Sequence, residues 1–242
     1  MFDGFLRVAA ATPDIRVADC NFNGASAAAL VSEAYEQGVS LLVLPELCLT
    51  GYTCSDLFLQ ESLLDGAGKA LLTLTEATRD KNMVVLAGLP LTVNGVLYNV
   101  AAVLHDGDIL GFVPKSYLPT YSEFYEGRHY HSGADIETDV LFNGRTYPFG
   151  TRLLFRCRQM PAFTLGIEIC EDLWVAQPPS ISHALAGATV IANLSASDET
   201  TGKDIYRRSL VSGQSARLVC GYIYADAGEG ESSTDLVLAR II

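Results

Sequence analysis

Basic residues are scarce in this chain: 16 Lys and Arg stand against 28 Asp and Glu, a formal charge of −12. A nucleic-acid binder displaces counterions with its own cations, and an anionic bilayer attracts basic segments, so neither partner is expected. No apolar run approaches the roughly 18 residues a membrane span needs. The N-terminus, MFDGFLRVAAATPDIRV, interrupts its apolar stretch with Asp3 and Arg7 and has no basic segment leading into an apolar core. No secretion signal is read, and a soluble, cytoplasmic protein is expected. The six cysteines (Cys20, Cys48, Cys54, Cys157, Cys170, Cys220) contain no CxxC pair and read as reduced thiols, most of them packed as small hydrophobes. Of four histidines only His129 and His131 are close, so zinc-ligand spacing is missing and no metal is expected. GxSxG is absent, which disfavours a serine α/β-hydrolase.

What the chain does have is apolar substance. Hydrophobic residues make up 49% of its 242 positions and charged residues 18%, enough to fill the core of one large α/β domain. Short β-branched or apolar runs alternate with longer Ala-rich stretches. Strands are expected at Phe5–Ala11, Leu41–Leu44, Met83–Gly88, Leu153–Arg156, Phe163–Ile169, Thr189–Leu194 and Gly221–Ala225, with a further one starting in Thr234–Ala239. Tyr98–Leu104 and Ile109–Val113 flank a His105-Asp106-Gly107 turn and read as a hairpin. Helices are expected at Asn23–Gln37, Leu63–Lys81, Ser180–Ala186 and Asp204–Leu218. Residues 116–151 are aromatic, polar and turn-rich without clear periodicity, the mark of a functional or mobile segment. There is no internal repeat and no interdomain linker, so residues 1–242 are read as one α/β domain.

Three polar residues stand at or just beyond the ends of apolar strands. Glu46 follows Leu41–Leu44 in LLVLPELCLTGY, Lys115 follows Val113 in GFVPKSYLP, and Cys170 follows Phe163–Ile169 in FTLGIEICEDLW. Side chains at strand ends are held firmly yet stay accessible, and ligands of α/β sheets collect there. A carboxylate, an ammonium and a thiol brought together make a nucleophilic site. The attacking species is the thiolate, and a free thiol with a pKa of about 8.5 needs a base or a cation beside it. Glu46 can take the thiol proton provided burial raises its pKa toward neutrality. Lys115 can stabilise the thiolate and an oxyanion, with the backbone N–H of Glu171 completing the hole; one such donor is worth roughly 3 kcal/mol in other enzymes. The implied target is a carbonyl with a leaving group, an amide or a nitrile.

These segments, with GYTCSDLF, YLPTYSEFYE, NLSAS and GQSARLVCGYIYADAGEGESSTDLV, resemble the carbon–nitrogen hydrolase (nitrilase-like) superfamily, and in finer detail the glutaminase domains of glutamine-dependent NAD⁺ synthetases. The resemblance covers essentially the whole chain. It implies an α-β-β-α four-layer sandwich, whose last strands are not expected within these residues, and a tendency to form homo-oligomers. It makes Glu46 the general base, Lys115 the oxyanion-stabilising cation and Cys170 the nucleophile. Glu123 stands where the superfamily often carries a second glutamate that holds the lysine. Tyr121, Ser197 and Lys203 match glutamine-binding positions, with Tyr52, Phe124, Glu126, Glu171 and Trp174 as further pocket walls. The resemblance also implies that ammonia passes to a synthetase domain using ATP and Mg²⁺ to amidate deamido-NAD⁺. The phosphate-loop patterns SGGxDS and GxxxxGK[ST] do not occur here, so that domain is expected to be absent, and this domain needs no cofactor of its own. Two alternatives stay open: the same triad acting on another amide or nitrile, and a non-catalytic oligomerisation module.

Overall fold

Every residue of the strand Leu41–Val43 is buried, and that fixes the layering of the molecule. Alternate residues of a strand face opposite ways, so a strand buried throughout needs apolar cover on both sides. Leu41 and Val43 meet Leu86, Val103, Ile167 and Leu194 in one cluster; Leu42 and Leu44 join Val31, Ala67 and Leu71 in another. The first lies between two sheets, the second between a sheet and its helices.

The computed structural model describes residues 4–239. In chain order the strands and α-helices are β1 (Val8–Ala10), α1 (Cys20–Glu36), β2 (Leu41–Val43), α2 (Glu61–Ala77), β3 (Val84–Val93), β4 (Val96–His105), β5 (Asp108–Pro114), α3 (Glu126–His129), β6 (Glu137–Phe142), β7 (Arg145–Gly150), β8 (Phe155–Arg156), β9 (Thr164–Ile169), α4 (Pro179–Leu185), β10 (Val190–Leu194), α5 (Lys203–Leu218) and β11 (Gly221–Ala225). One sheet runs β1-β2-β3-β4-β5-β7-β6 and the other β11-β10-β9-β8. The strands β1 to β3 pair in parallel, as do β9 to β11. Helices α1 and α2 pack together on the first sheet, and α4 and α5 cover the second. The α-β-β-α sandwich is therefore present. No described helix is long and apolar enough to cross a membrane.

Three expectations need correction. The segment 116–151 is not without periodic structure: it contains α3 and the β6–β7 hairpin, which joins the first sheet through Phe112 opposite Phe149. Asn143 and Gly144, both at positive φ, form the hairpin turn, a two-residue signal that the surrounding polar sequence obscures. Residues 234–239 form no strand. Leu236 and Leu238 are buried like strand residues, but the backbone turns on itself, with Ser233 N–H donating to Leu236 O at 2.8 Å. The first strand is also shorter than Phe5–Ala11, for only Val8–Ala10 pairs with β2.

Candidate active site

Glu46 sits on the sharp turn that leaves β2, where Leu47 adopts φ +51°. The turn rests directly on Gly88 of β3: a Cβ there would lie 2.2 Å from the Leu47 nitrogen and 2.7 Å from the Glu46 carbonyl carbon. Glycine is required by this close approach. The Glu46 carboxylate is fully buried. Its Oε1 accepts from Lys115 Nζ and from Asn99 Nδ2, both at 2.6 Å, and its Oε2 accepts from the Ala196 N–H at 3.0 Å.

Lys115 follows β5 and is likewise fully buried. Its ammonium contacts a second carboxylate, Glu126 Oε1, at 2.6 Å, and that oxygen also accepts the Tyr52 hydroxyl at 2.7 Å. Here the site departs from the sequence reading. The second carboxylate on the lysine is Glu126, not Glu123. Glu126 N–H donates to Pro119 O at 3.1 Å, closing the intervening loop and starting α3 with Glu126 turned inward. Glu123 remains half-buried, its carboxyl held low by the Ser122 hydroxyl, with Asp198 and Lys203 contributing. Burial works against the Lys115 charge, but Glu126 and Glu46 outweigh it and hold its pKa well above the usual value. Glu126 is pushed up to about 7, chiefly by burial and against the pull of Lys115.

Cys170 follows β9 as the first residue of a 3₁₀ turn, Cys170–Leu173, with φ +45°. A non-glycine residue in this region stores on the order of 1–3 kcal/mol and persists only where its surroundings impose it. Two buried side chains impose it. Asn193 Oδ1 accepts the Cys170 N–H at 3.1 Å, and Asp172 Oδ2 accepts the Ile169 N–H at 3.0 Å. Asp172 Oδ1 also takes the Tyr117 N–H at 2.8 Å, tying the loop that carries Lys115 to the turn that carries Cys170. The thiol is driven well above its ordinary pKa by burial first and by Glu46 next; Lys115 opposes them and Glu126 adds to them. Glu46, Lys115, Glu126 and Cys170 thus form one electrostatically coupled cluster.

The remaining predicted residues gather beside it. Tyr121 donates its hydroxyl to Glu171 Oε2 at 3.0 Å and stacks edge-on to Phe124 at 5.8 Å. Lys203 is ion-paired with Asp198 and lies 5.7 Å from the Phe124 ring centre and 5.3 Å from that of Trp174. Ser197 is buried; its N–H donates to Asp226 Oδ1 at 2.8 Å and its hydroxyl accepts from Arg207 at 3.3 Å. Sequence reasoning did not single out Asn99, Asp172, Asn193, Arg207 or Asp226. The available signal was a polar residue inside an otherwise buried strand or helix, which must find a partner. Among the described residues no group of three His, Cys, Asp or Glu side chains is arranged to hold a metal ion.

A buried acid, ammonium and thiol thus stand together at the strand ends of a four-layer sandwich. Residues 7–225 match the carbon-nitrogen hydrolase family, and the chain belongs to it. Its relatives narrow the comparison. The glutamine-dependent NAD(+) synthetase of Mycobacterium tuberculosis H37Rv is 47% identical over 233 residues, covering 96% of this chain and 34% of that protein. The glutamine-dependent NAD(+) synthetase of Mycobacterium leprae is 44% identical with the same coverage. The chain thus spans about a third of the length of these curated relatives. The crystal structure of a glutamine-dependent NAD(+) synthetase from Cytophaga hutchinsonii superposes with a TM-score of 0.82 at 32% identity, covering 92% of this chain and 36% of that one.

Proposed function

We propose that this chain is a glutamine amidohydrolase unit whose ammonia serves ATP-dependent amidation of deamido-NAD⁺ by a synthetase unit. The observation that carries the reading is the buried Lys115–Glu46 pair at 2.6 Å, electrostatically coupled to a Cys170 thiol held in a strained turn. The relatives are glutamine-dependent NAD(+) synthetases, which supports glutamine as substrate and NAD⁺ synthesis as the destination.

The chemistry follows from the groups present. Cys170 Sγ attacks the side-chain amide carbon of glutamine as its proton passes to Glu46. The resulting oxyanion meets Lys115 Nζ and the N–H of Glu171, one of the N–H groups that the start of a helical turn leaves without an internal partner. Glu46 returns the proton to the amide nitrogen, the C–N bond breaks, ammonia leaves and a γ-glutamyl thioester remains. Water then attacks the thioester, giving its proton to Glu46; glutamate departs and the proton returns to sulfur. Glu126 and Asn99 hold Lys115 and Glu46 in place throughout. Lys203 suits the substrate α-carboxylate and Glu171 its α-ammonium, with Tyr121 and Ser197 beside them.

Ammonia release from L-glutamine tests the reading, with L-asparagine and a simple nitrile as comparison substrates. Wild type is expected to prefer glutamine and Cys170→Ser to be inert. Equal inactivity of both proteins with the fold intact overturns it, and so does a preference for the nitrile.

A further inference from the structure

Glu168 is a buried carboxylate on β9 that the chemistry above leaves unused. No cation pairs with it among the described residues. Its Oε2 accepts the Ser180 N–H of α4 at 2.8 Å, and its Oε1 accepts the hydroxyl of Tyr222 on β11. The Tyr222 oxygen in turn accepts Asn193 Nδ2 at 3.2 Å. Asn193, fully buried on the middle strand β10, uses its Oδ1 for the Cys170 N–H at 3.1 Å and the Ser195 hydroxyl at 2.7 Å. The chain of bonds therefore has a direction. It runs from the nucleophile's backbone through Asn193 and Tyr222 to a carboxylate.

Two ends set that direction. The Cys170 N–H can only donate and draws the Asn193 oxygen toward it, while Glu168 Oε1 accepts the Tyr222 hydroxyl and draws the tyrosine proton the other way. The tyrosine lone pairs then face Asn193, which turns its NH₂ to Tyr222 and its oxygen to Cys170. With the carboxamide reversed, an N–H would confront the Cys170 N–H, and the bond that supports φ +45° would be lost. We infer that Glu168 is a positioning residue for Cys170, acting through Tyr222 and Asn193 to hold the nucleophile's backbone in its left-handed turn. This rests on Cys170 being the nucleophile and does not depend on which amide it attacks.

Glu168→Gln offers one acceptor where two are needed. Either Ser180 loses its partner or the tyrosine proton turns toward Asn193. Tyr222→Phe cuts the same path at its middle. Each variant is expected to lower kcat for ammonia release on the order of tens-fold, as a small misplacement of a reacting group does, while KM stays within about threefold because Tyr121, Lys203 and Glu171 are untouched. The double variant is expected to be no worse than the poorer single one, since both interrupt one path. Alkylation of Cys170 by iodoacetamide, located by peptide mass with Cys170→Ser as control, is expected to slow in parallel. Multiplicative losses in the double variant, or alkylation at the wild-type rate in both single variants, overturn the relay. Alkylation tracks the relay even if glutamine is not the substrate, so the two readings fail separately.

Discussion

Replacing Glu126 with Gln separates the two carboxylates that compete for the role of lysine holder. The change is unusually clean. Lys115 Nζ and the Tyr52 hydroxyl both donate to the same oxygen, Glu126 Oε1, and the other oxygen has no partner. A glutamine can keep both bonds on its carbonyl and place its NH₂ where the idle oxygen was, so shape and the two existing bonds survive while one negative charge is deleted and the NH₂ is left buried without an acceptor. The Lys115 bond stays charge-assisted, whereas the Tyr52 bond passes from a charged acceptor, worth about 1.5–3 kcal/mol, to a neutral one, worth about 0.5–1.5. The difference, about 1–1.5 kcal/mol, corresponds to a loss of roughly 5–13-fold if all of it is expressed in the transition state. The electrostatics add a second readout. Glu126 raises the Cys170 thiol pKa, so its neutralisation is expected to move the alkylation midpoint of Cys170 to lower pH even as turnover falls. Glu123→Gln is the comparison: its carboxylate stands apart from Lys115, and turnover is expected to stay within about threefold because it touches neither Lys115 nor Glu46. Steady-state ammonia release and iodoacetamide titration on both variants decide the matter. A loss in Glu123→Gln equal to or above that in Glu126→Gln refutes the reasoning, as does an unshifted thiol midpoint in Glu126→Gln.

Three further outcomes follow from the same structure. Burial raises the carboxyls of Glu231 to about 8 and Asp226 to about 7. The folded state thus binds protons that the unfolded chain releases near pH 4, so the stability these groups contribute is present at low pH and lost as pH climbs toward 8. Tm is expected to fall between about pH 5 and 8 and to fall less in Glu231→Gln; an equally steep fall in that variant by differential scanning fluorimetry contradicts the assignment. Gly88→Ala forces a Cβ to within 2.2 Å of the Leu47 backbone nitrogen, so a destabilisation of at least ~1–3 kcal/mol in urea unfolding is expected, with turnover lost as the Glu46 turn shifts. Lys203→Met removes the cation beside Phe124 and Trp174. KM for glutamine is expected to rise about tenfold, matching one charge-assisted bond of ~1.4 kcal/mol, with kcat little changed; an unchanged KM removes Lys203 from the substrate site.

Glu46, Lys115 and Cys170 come together in the structure because each closes a buried run whose period is visible in the sequence, and the register of the sheets carries those ends to one place. The second glutamate shows where such logic stops. Glu123 and Glu126 are both acids in one aromatic, aperiodic segment. The choice between them depends on a loop closure, Glu126 N–H to Pro119 O, and on the inward rotation of a four-residue helix, neither of which leaves a periodic trace. The tail misled for the opposite reason: Leu236 and Leu238 alternate as in a strand, but Ser232 and Ser233 satisfy the local backbone and turn the chain. Asn99 and Asn193 were legible in principle, since an amide inside YNV or ANL must find partners once its strand is buried. What the sequence does not carry is the identity of those partners. Asn99 meets Glu46 across 53 positions and Asn193 meets Cys170 across 23, so the groups that orient the acid and the thiol become visible only when the two sheets are stacked. The chemistry of the site is written at strand ends, while its rigidity is written in single polar residues whose meaning depends on the strand beside them.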